Sequence, residues 1–334
     1  MRKKLRAILC LILVVHLLSG CAFPSKPGTP APSTVHKEKM SAWITYWDTD
    51  DAMAQIADLD GRLESLEYFA AYFDAQNQLF IPDKITQLRE KVKQTYGEPL
   101  PWSSYLTFVN DKLLLEGESS LKDTDLLYAL LAEPTTRQMH IQDILFLTES
   151  GGYDGVEIDY EAIRKDMALW QHFIDFITEL SCETTQRGLL LRVVLEPGIP
   201  YEALSFPEGP EYVIMCYNLH GPGSEPGPKA DDAFLLELTK KTSRLPGRKN
   251  FAIATGGFEW AGDAVAALSQ KEAHALARQK NVVQQRDAGS QALSFSYSCG
   301  DIVHQVWYAD SITLEHWMNL LRGTGDVSVS LWRL

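Results

Sequence analysis

Gly151-Gly152-Tyr153-Asp154-Gly155-Val156-Glu157-Ile158-Asp159-Tyr160-Glu161 is the stretch on which the fold turns. From Val156 onward it alternates strictly. In an extended chain successive side chains point to opposite faces, so Val156, Ile158 and Tyr160 share one face and Glu157, Asp159 and Glu161 the other. Neighbouring acids on that face stand about 7 Å apart. Three carboxylates so close do not all ionise cheaply: at least one must hold its proton, or a cation must intervene. Folding gives no reason to align them, but chemistry does, because an acid kept protonated near neutral pH can protonate a leaving oxygen. A solvated edge strand would show the same alternation. The apolar helix pattern that follows, with Leu169, Phe173, Phe176 and Ile177 at three- and four-residue spacing, argues instead for a buried strand. A Mg²⁺ or Ca²⁺ site is a further reading of such oxygens. It lacks a supporting His or Asn cluster, and no metal or cofactor is expected.

Outward from this strand, short apolar runs alternate with longer amphipathic ones. Eight strands are expected, at Ala42–Trp47, Leu66–Tyr72, Ser104–Val109, Gly155–Glu161, Leu189–Leu195, Tyr212–Tyr217, Asn250–Thr255 and Val327–Trp332. Several are almost continuously apolar, as strands covered on both faces should be. Helical patterns fall at Pro82–Lys93, Asp166–Leu180 and Asp232–Thr242, and Ser269-x-x-Glu272 is a capping box opening another to about Val283. Strand–helix alternation of this length predicts an α/β (β/α)₈ TIM barrel, whose inward acids climb toward the C-terminal rim. Ser294–Ser298 and Ile302–Tyr308 flank Cys299-Gly300-Asp301 and predict a small β-hairpin inserted between strands seven and eight. An open doubly wound sheet is the alternative, without a glycine-rich phosphate loop to support it.

The N-terminus reads differently. Arg2, Lys3, Lys4 and Arg6 precede an apolar run from Ala7 to Leu18, too short for a membrane span and of signal-peptide length. Leu18-Ser19-Gly20-Cys21 resembles the bacterial lipobox. The expectation is a signal peptide over 1–20, lipidation at Cys21, a Pro/Ser/Thr/Lys-rich tether over 21–40 and a folded domain over 41–334, anchored to the membrane and facing outside the cytoplasm. Loss of residues 1–20 removes four positive charges and no negative ones, taking the formal charge from −13 to −17. Such a chain does not bind nucleic acid by bulk electrostatics. Cys182, Cys216 and Cys299 are too few and too widely spaced for a disulfide framework, though one bridge remains open in an oxidising compartment. A monomer is expected.

Asp154-Gly-Val-Glu157-Ile-Asp159-Tyr-Glu161 resembles the Asp-Gly-x-Asp-x-Asp-x-Glu signature of glycoside hydrolase family 18, with Glu157 in place of the second Asp. The resemblance implies that Glu161 is the general acid and later base, and that Asp159 orients the substrate N-acetyl group. That group would attack the anomeric carbon in place of a protein nucleophile. Met215-Cys216-Tyr217-Asn218-Leu219-His220 is similar to the family's Met-x-Tyr-Asp segment. It implies that Tyr217 hydrogen-bonds the acetamide, with Asn218 standing where Asp is usual. The Gly221–Pro228 loop is similar to one in members linked to spore and cell-wall glycan, and His220 either lines the cleft or caps that loop. Val306–Ser311 and Val327–Trp332 resemble the segment before helix eight and strand eight, which implies Trp332 as a sugar platform. Asp154, Met215, Asn218, Tyr46 and His220 complete the expected substrate set, and Trp47, Tyr72, Asn110, Glu196 and Trp260 lie near strand C-ends.

These readings converge on a retaining glycosidase that cleaves β-1,4 bonds beside N-acetylglucosamine-type sugars of peptidoglycan or chitin. A non-catalytic, lectin-like barrel is the second reading, because Glu157 and Asn218 both border Asp159. A tethered binding component of a transporter would need two open-sheet lobes, which the eight-strand count disfavours.

Overall fold

The computed structural model describes residues 38–59, 61–114 and 119–334. The signal peptide, Cys21 and nearly all of the expected tether lie outside them. In chain order the elements are β1 (Met40–Thr45), α1 (Ala52–Asp58), β2 (Leu63–Phe73), β3 (Leu79–Phe80), α2 (Asp83–Tyr96), β4 (Ser103–Lys112), α3 (Thr124–Leu131), α4 (Pro134–Ser150), β5 (Gly155–Asp159), α5 (Met167–Arg187) and β6 (Leu190–Leu195). There follow β7 (Glu211–Met215), α6 (Asp232–Lys241), β8 (Lys249–Ala254), β9 (Gly256–Ala261), β10 (Ala264–Leu268), α7 (Gln270–Gln279), β11 (Gln285–Arg286), β12 (Leu293–Cys299), β13 (Ile302–Ala309), α8 (Ser311–Arg322) and β14 (Val327–Trp332).

Eight of these strands are parallel neighbours in the order β1-β14-β8-β7-β6-β5-β4-β2, and the β1–β2 pairing closes the ring. All eight expected barrel strands are present. The chain is a (β/α)₈ barrel, with β3 added antiparallel to the end of β2. The reason lies in the strands' two apolar duties. On β5, Val156 and Ile158 are fully buried in the main core between sheet and helices. They share that core with Leu169, Phe173, Phe176, Ile177 and Leu180 of α5, each such side chain contributing roughly 1.5–3 kcal/mol by leaving water. Asp166 caps α5 by accepting from the backbone N–H of Ala168 and Leu169, and Gly188 ends it at a φ of 70°.

The hairpin around Gly300 forms as expected, and it is the middle of something larger. β12 and β13 join β9, β10 and β11 in a five-stranded antiparallel sheet ordered β10-β9-β13-β12-β11, packed against α7. Helix α8 then returns the chain to β14, so the last crossover is present. Smaller shifts also occur. Pro82 is the cap of α2 rather than its first residue, and β1 begins at Met40, one residue before the expected domain start. Arg322 holds the carbonyl of Lys39 at 2.9 Å. Cys182, Cys216 and Cys299 are free thiols.

Candidate active site

Strand β5 is set in register with β4 and β6 so that Glu157 lies level with Thr107 and Arg192, and Asp159 with Val109. Gly155 permits this entry. A Cβ there would stand 2.6 Å from the Tyr105 ring and 2.8 Å from the Leu190 carbonyl. The acids do point inward and climb, but the strand ends at Asp159, so Glu161 stands on the rim just beyond it. Outward, Tyr160 meets His140 through a 2.6 Å hydrogen bond.

The lowest acid is locked. Glu157 is buried and accepts from Trp43 Nε1 at 2.6 Å, Thr107 Oγ1 at 2.8 Å and Arg192 Nε at 2.8 Å. Arg192 is itself buried. Its Nη1 lies 3.0 Å from Glu67 and 3.4 Å from Glu211, and it also donates to Ser41 and Ser330. Burial raises Glu67 to about 8, against the pull of Arg192. Burial also pushes Glu157 up, and the guanidinium and its two other donors oppose that. Arg192 and Glu157 thus form an ion pair at 2.8 Å inside the barrel.

The middle acid is bare. Asp159 is 6% exposed, and its Oδ1 is buried without a hydrogen-bond partner among the described residues. Burial first, then the charges of Glu161 and Glu157, hold it well above the usual carboxylate range. The upper acid is built into the rim through its backbone. Glu161 N–H donates to Asn110 Oδ1 at 2.9 Å, and Asn110 Nδ2 donates back to the Glu161 carbonyl at 3.1 Å. The next N–H, of Ala162, donates to Glu196 Oε2 at 2.8 Å. Burial raises Glu161, and the Lys122 ammonium, which is ion-paired with its Oε2, counters that rise.

Around these acids lies an aromatic wall. Trp332 closes β14 edge-on to Trp43 at 5.8 Å and to Phe69 at 4.9 Å, and its plane runs within 11° of Tyr217 at 6.5 Å. Met215 and Tyr217 belong to the same buried cluster, and Tyr46 packs on it through Tyr72 at 5.4 Å. Trp47 is 47% exposed at this mouth. Asn218 follows on a left-handed backbone, φ 60°, and is exposed.

Three expected contributors do other work. Asp154 lies at the opposite end of β5, about 20 Å of strand from Glu161, where its Oδ2 accepts from Ser104 N and Oγ at 2.8 Å and ties two strands together. It is not in the cleft. His220 bonds the Glu225 carbonyl at 3.0 Å, and its ring fills the space where a Cβ on Gly227 would be, so it caps the loop. Trp260 is buried and donates to the Ser224 carbonyl at 3.2 Å, holding the same loop. A cavity of about 360 Å³ opens at the N-terminal end of the barrel beside Ser41, Ser65, Tyr105 and Glu211; it reaches the acid ladder only through Arg192. Among the described residues no group of three or more His, Cys, Asp or Glu is placed to hold a metal ion.

No family model matches the chain. Over 230 residues it is 26% identical to YdhD of Bacillus subtilis, which carries the name of a sporulation-specific glycosylase; the match covers 63% of this chain and 54% of that protein. It is 27% identical over 237 residues to the cortical fragment-lytic enzyme of Bacillus anthracis, covering 63% and 53%. The chain thus spans about half the length of the curated relatives it matches. In structure it resembles the spore cortex-lytic enzyme SleL of Bacillus cereus, with a TM-score of 0.72 at 19% identity over 89% of this chain and 71% of that one. It also resembles a chitinase of Chromobacterium violaceum, with a TM-score of 0.72 at 20% identity over 89% and 94%. At these identities the structural likeness is one of fold.

Proposed function

We propose that this chain is a retaining glycoside hydrolase that cleaves β-1,4 bonds beside N-acetylated sugars, with peptidoglycan the preferred glycan and chitin the second. The observation that carries the reading is the pairing of a buried, partnerless Asp159 oxygen with Glu161 on the rim above it. A dry carboxyl with an open valence is what an acetamide N–H would fill. Glu161 then donates its proton to the glycosidic oxygen as that bond breaks. The acetamido oxygen, oriented by Asp159 and by the Tyr217 hydroxyl, bonds to the anomeric carbon to give an oxazolinium. The Glu161 carboxylate removes a proton from the water that opens it, so configuration is retained. Trp332 and Tyr217 supply the apolar face on which the sugar stacks. The names of the relatives, a cortical fragment-lytic enzyme among them, support a glycan in the cell envelope.

The non-catalytic reading has one specific observation behind it: the Glu161 carboxylate is ion-paired with Lys122. The deciding experiment treats purified peptidoglycan and chitooligosaccharides with the wild-type chain and with Glu161→Gln, products being read by mass spectrometry. Fragments with a new reducing-end N-acetyl sugar that vanish in Glu161→Gln support the hydrolase. Binding without products from either glycan supports the lectin.

We further infer, from Leu18-Ser19-Gly20-Cys21, that Cys21 anchors the chain to the outer face of a membrane. Cys21→Ser should move the protein from the membrane to the soluble fraction of expressing cells, and unchanged membrane association would remove the anchor.

A further inference from the structure

Lys122 reaches the acids from a base that is fixed and by a side chain that is not. Its backbone sits at a left-handed φ of 55°, and its N–H donates to Asp111 Oδ1 at 2.7 Å. On one side Ser120 pairs with Lys112 of β4 through backbone bonds of 2.8 and 3.1 Å. On the other, Asp123 N–H bonds the Asn110 carbonyl at 2.9 Å, and the Asp123 side chain caps α3 through Leu126 N at 2.8 Å. Asn110 is also the residue that clamps the Glu161 backbone. The Cα of Lys122 and the backbone of Glu161 are therefore held by one strand end. Yet the Lys122 side chain is 46% exposed, a flexible four-carbon stem whose ammonium lies on Glu161 Oε2.

The surroundings of that ammonium are acidic. Facing Glu161 are Asp111 from β4, Asp159 from β5, Glu196 past the end of β6, and the hydroxyl of Tyr217 past the end of β7. Lys122 feels Glu161, Asp159 and Glu196 together, which holds its own charge firmly in place. In this state the ammonium favours the Glu161 carboxylate over its protonated form.

We propose that Lys122 is a positioning residue for Glu161: its ammonium holds the carboxylate before substrate enters and is swung out by the entering glycan, so that Glu161 takes up its proton from solvent once the substrate is bound. The proposal rests on the reading of Glu161 as the general acid. With the ammonium gone, Glu161 is left largely buried beside Asp111 and Glu196, and both burial and like charge favour the protonated form. Water then supplies the proton, and Lys122 remains charged in the solvent at the rim.

The test is the pH dependence of wild type, Lys122→Met and Lys122→Arg on the glycan that the wild type cleaves. The kcat/KM profile reports the free enzyme and the kcat profile the complex. In Lys122→Met the alkaline limb of kcat/KM should move to higher pH, raising kcat/KM several-fold on that limb, while the limb of kcat stays where it is. Lys122→Arg should restore the wild-type kcat/KM limb. Two limbs that move together would mean that the ammonium never leaves, and two that stay put would mean that it does not act on Glu161; either overturns the proposal. The Glu161 carboxyl is also titrated by ¹³C NMR in the free protein, which needs no turnover. An upward move in Lys122→Met together with an inactive wild type would uphold the ion pair and refute the hydrolase. An unmoved titration overturns the proposal whatever the activity.

Discussion

Glu157 and Glu161 stand four residues apart on the inward face of one run of chain, and their surroundings make them different chemical objects. Glu157 is sealed below, its carboxylate held by an indole, a hydroxyl and a guanidinium, all fixed by packing. Glu161 is held through its backbone by Asn110, and the partner on its carboxylate is a lysine nearly half in water. Fixed donors turn a carboxylate into a structural anion whose removal unbalances the barrel. A tethered backbone with a displaceable counter-ion leaves a carboxylate free to gain and lose a proton. Asp159, between them, has neither kind of partner on Oδ1 and is the most strongly shifted toward its neutral form. The gradient from paired to bare to gated runs up the strand from the barrel floor to the rim, where barrels carry their chemistry.

The comparison breaks most visibly at Glu161. Glu161→Gln should lower turnover by about 10²–10⁴-fold, the usual contribution of a general acid. Its unfolding free energy should change by less than about 1 kcal/mol, because an ion pair with a half-exposed lysine contributes little. Equal losses of activity and stability would mean that the upper acid is structural after all. Arg192→Met should do the reverse of Glu161→Gln below. Removing the guanidinium strands Glu157 in a dry interior, and urea unfolding should show a loss of roughly 3–5 kcal/mol. Adding Glu157→Gln to Arg192→Met should recover much of it, since the uncompensated charge goes with it. A single variant as stable as wild type would show that the lower network is not an ionised pair.

The barrel and the upper acids were legible because both signals are local. Continuous apolar runs need cover on both faces, and strict alternation within Val156–Glu161 leaves one way for the acids to point. The partners were not, because Lys122 comes from a loop and Arg192 from another strand, 39 and 35 residues away. One trace of them was present. Arg192 interrupts Leu190-Leu191-Arg192-Val193-Val194-Leu195, and a charge inside a doubly covered strand requires an opposite charge. Glu67 in Leu66–Tyr72 is the same signal from the other side. The five-stranded insertion was read as a hairpin because β11 is two exposed polar residues and β10, although apolar, is short and not buried, so neither carries the pattern of a covered strand. Asp154, His220 and Trp260 matched by position in the sequence, yet a strand start and a loop anchor were what those positions required.

The smallest predicted effect tests the other face of the same strand, on which the inward electrostatics depend. Tyr160 points away from the acids into a packed layer with His140, whose ring stacks on Phe176 at 5.6 Å. Burial lowers His140 to about 3, whereas an unfolded chain titrates near 6.5. The fold therefore refuses a proton that the unfolded chain accepts. Its contribution is complete above about 6.5 and is lost as pH falls from there toward 3, at about 1.4 kcal/mol per pH unit. His140→Gln keeps a hydrogen-bonding group toward Tyr160 without a titration in this range. Between pH 7 and pH 5 the difference in unfolding free energy between wild type and His140→Gln should therefore shrink by about 2 kcal/mol. A difference that stays constant would mean that His140 protonates inside the fold. Water and charge would then reach the outward side of β5, and the dry wall behind Asp159 that raises its carboxyl would not be there.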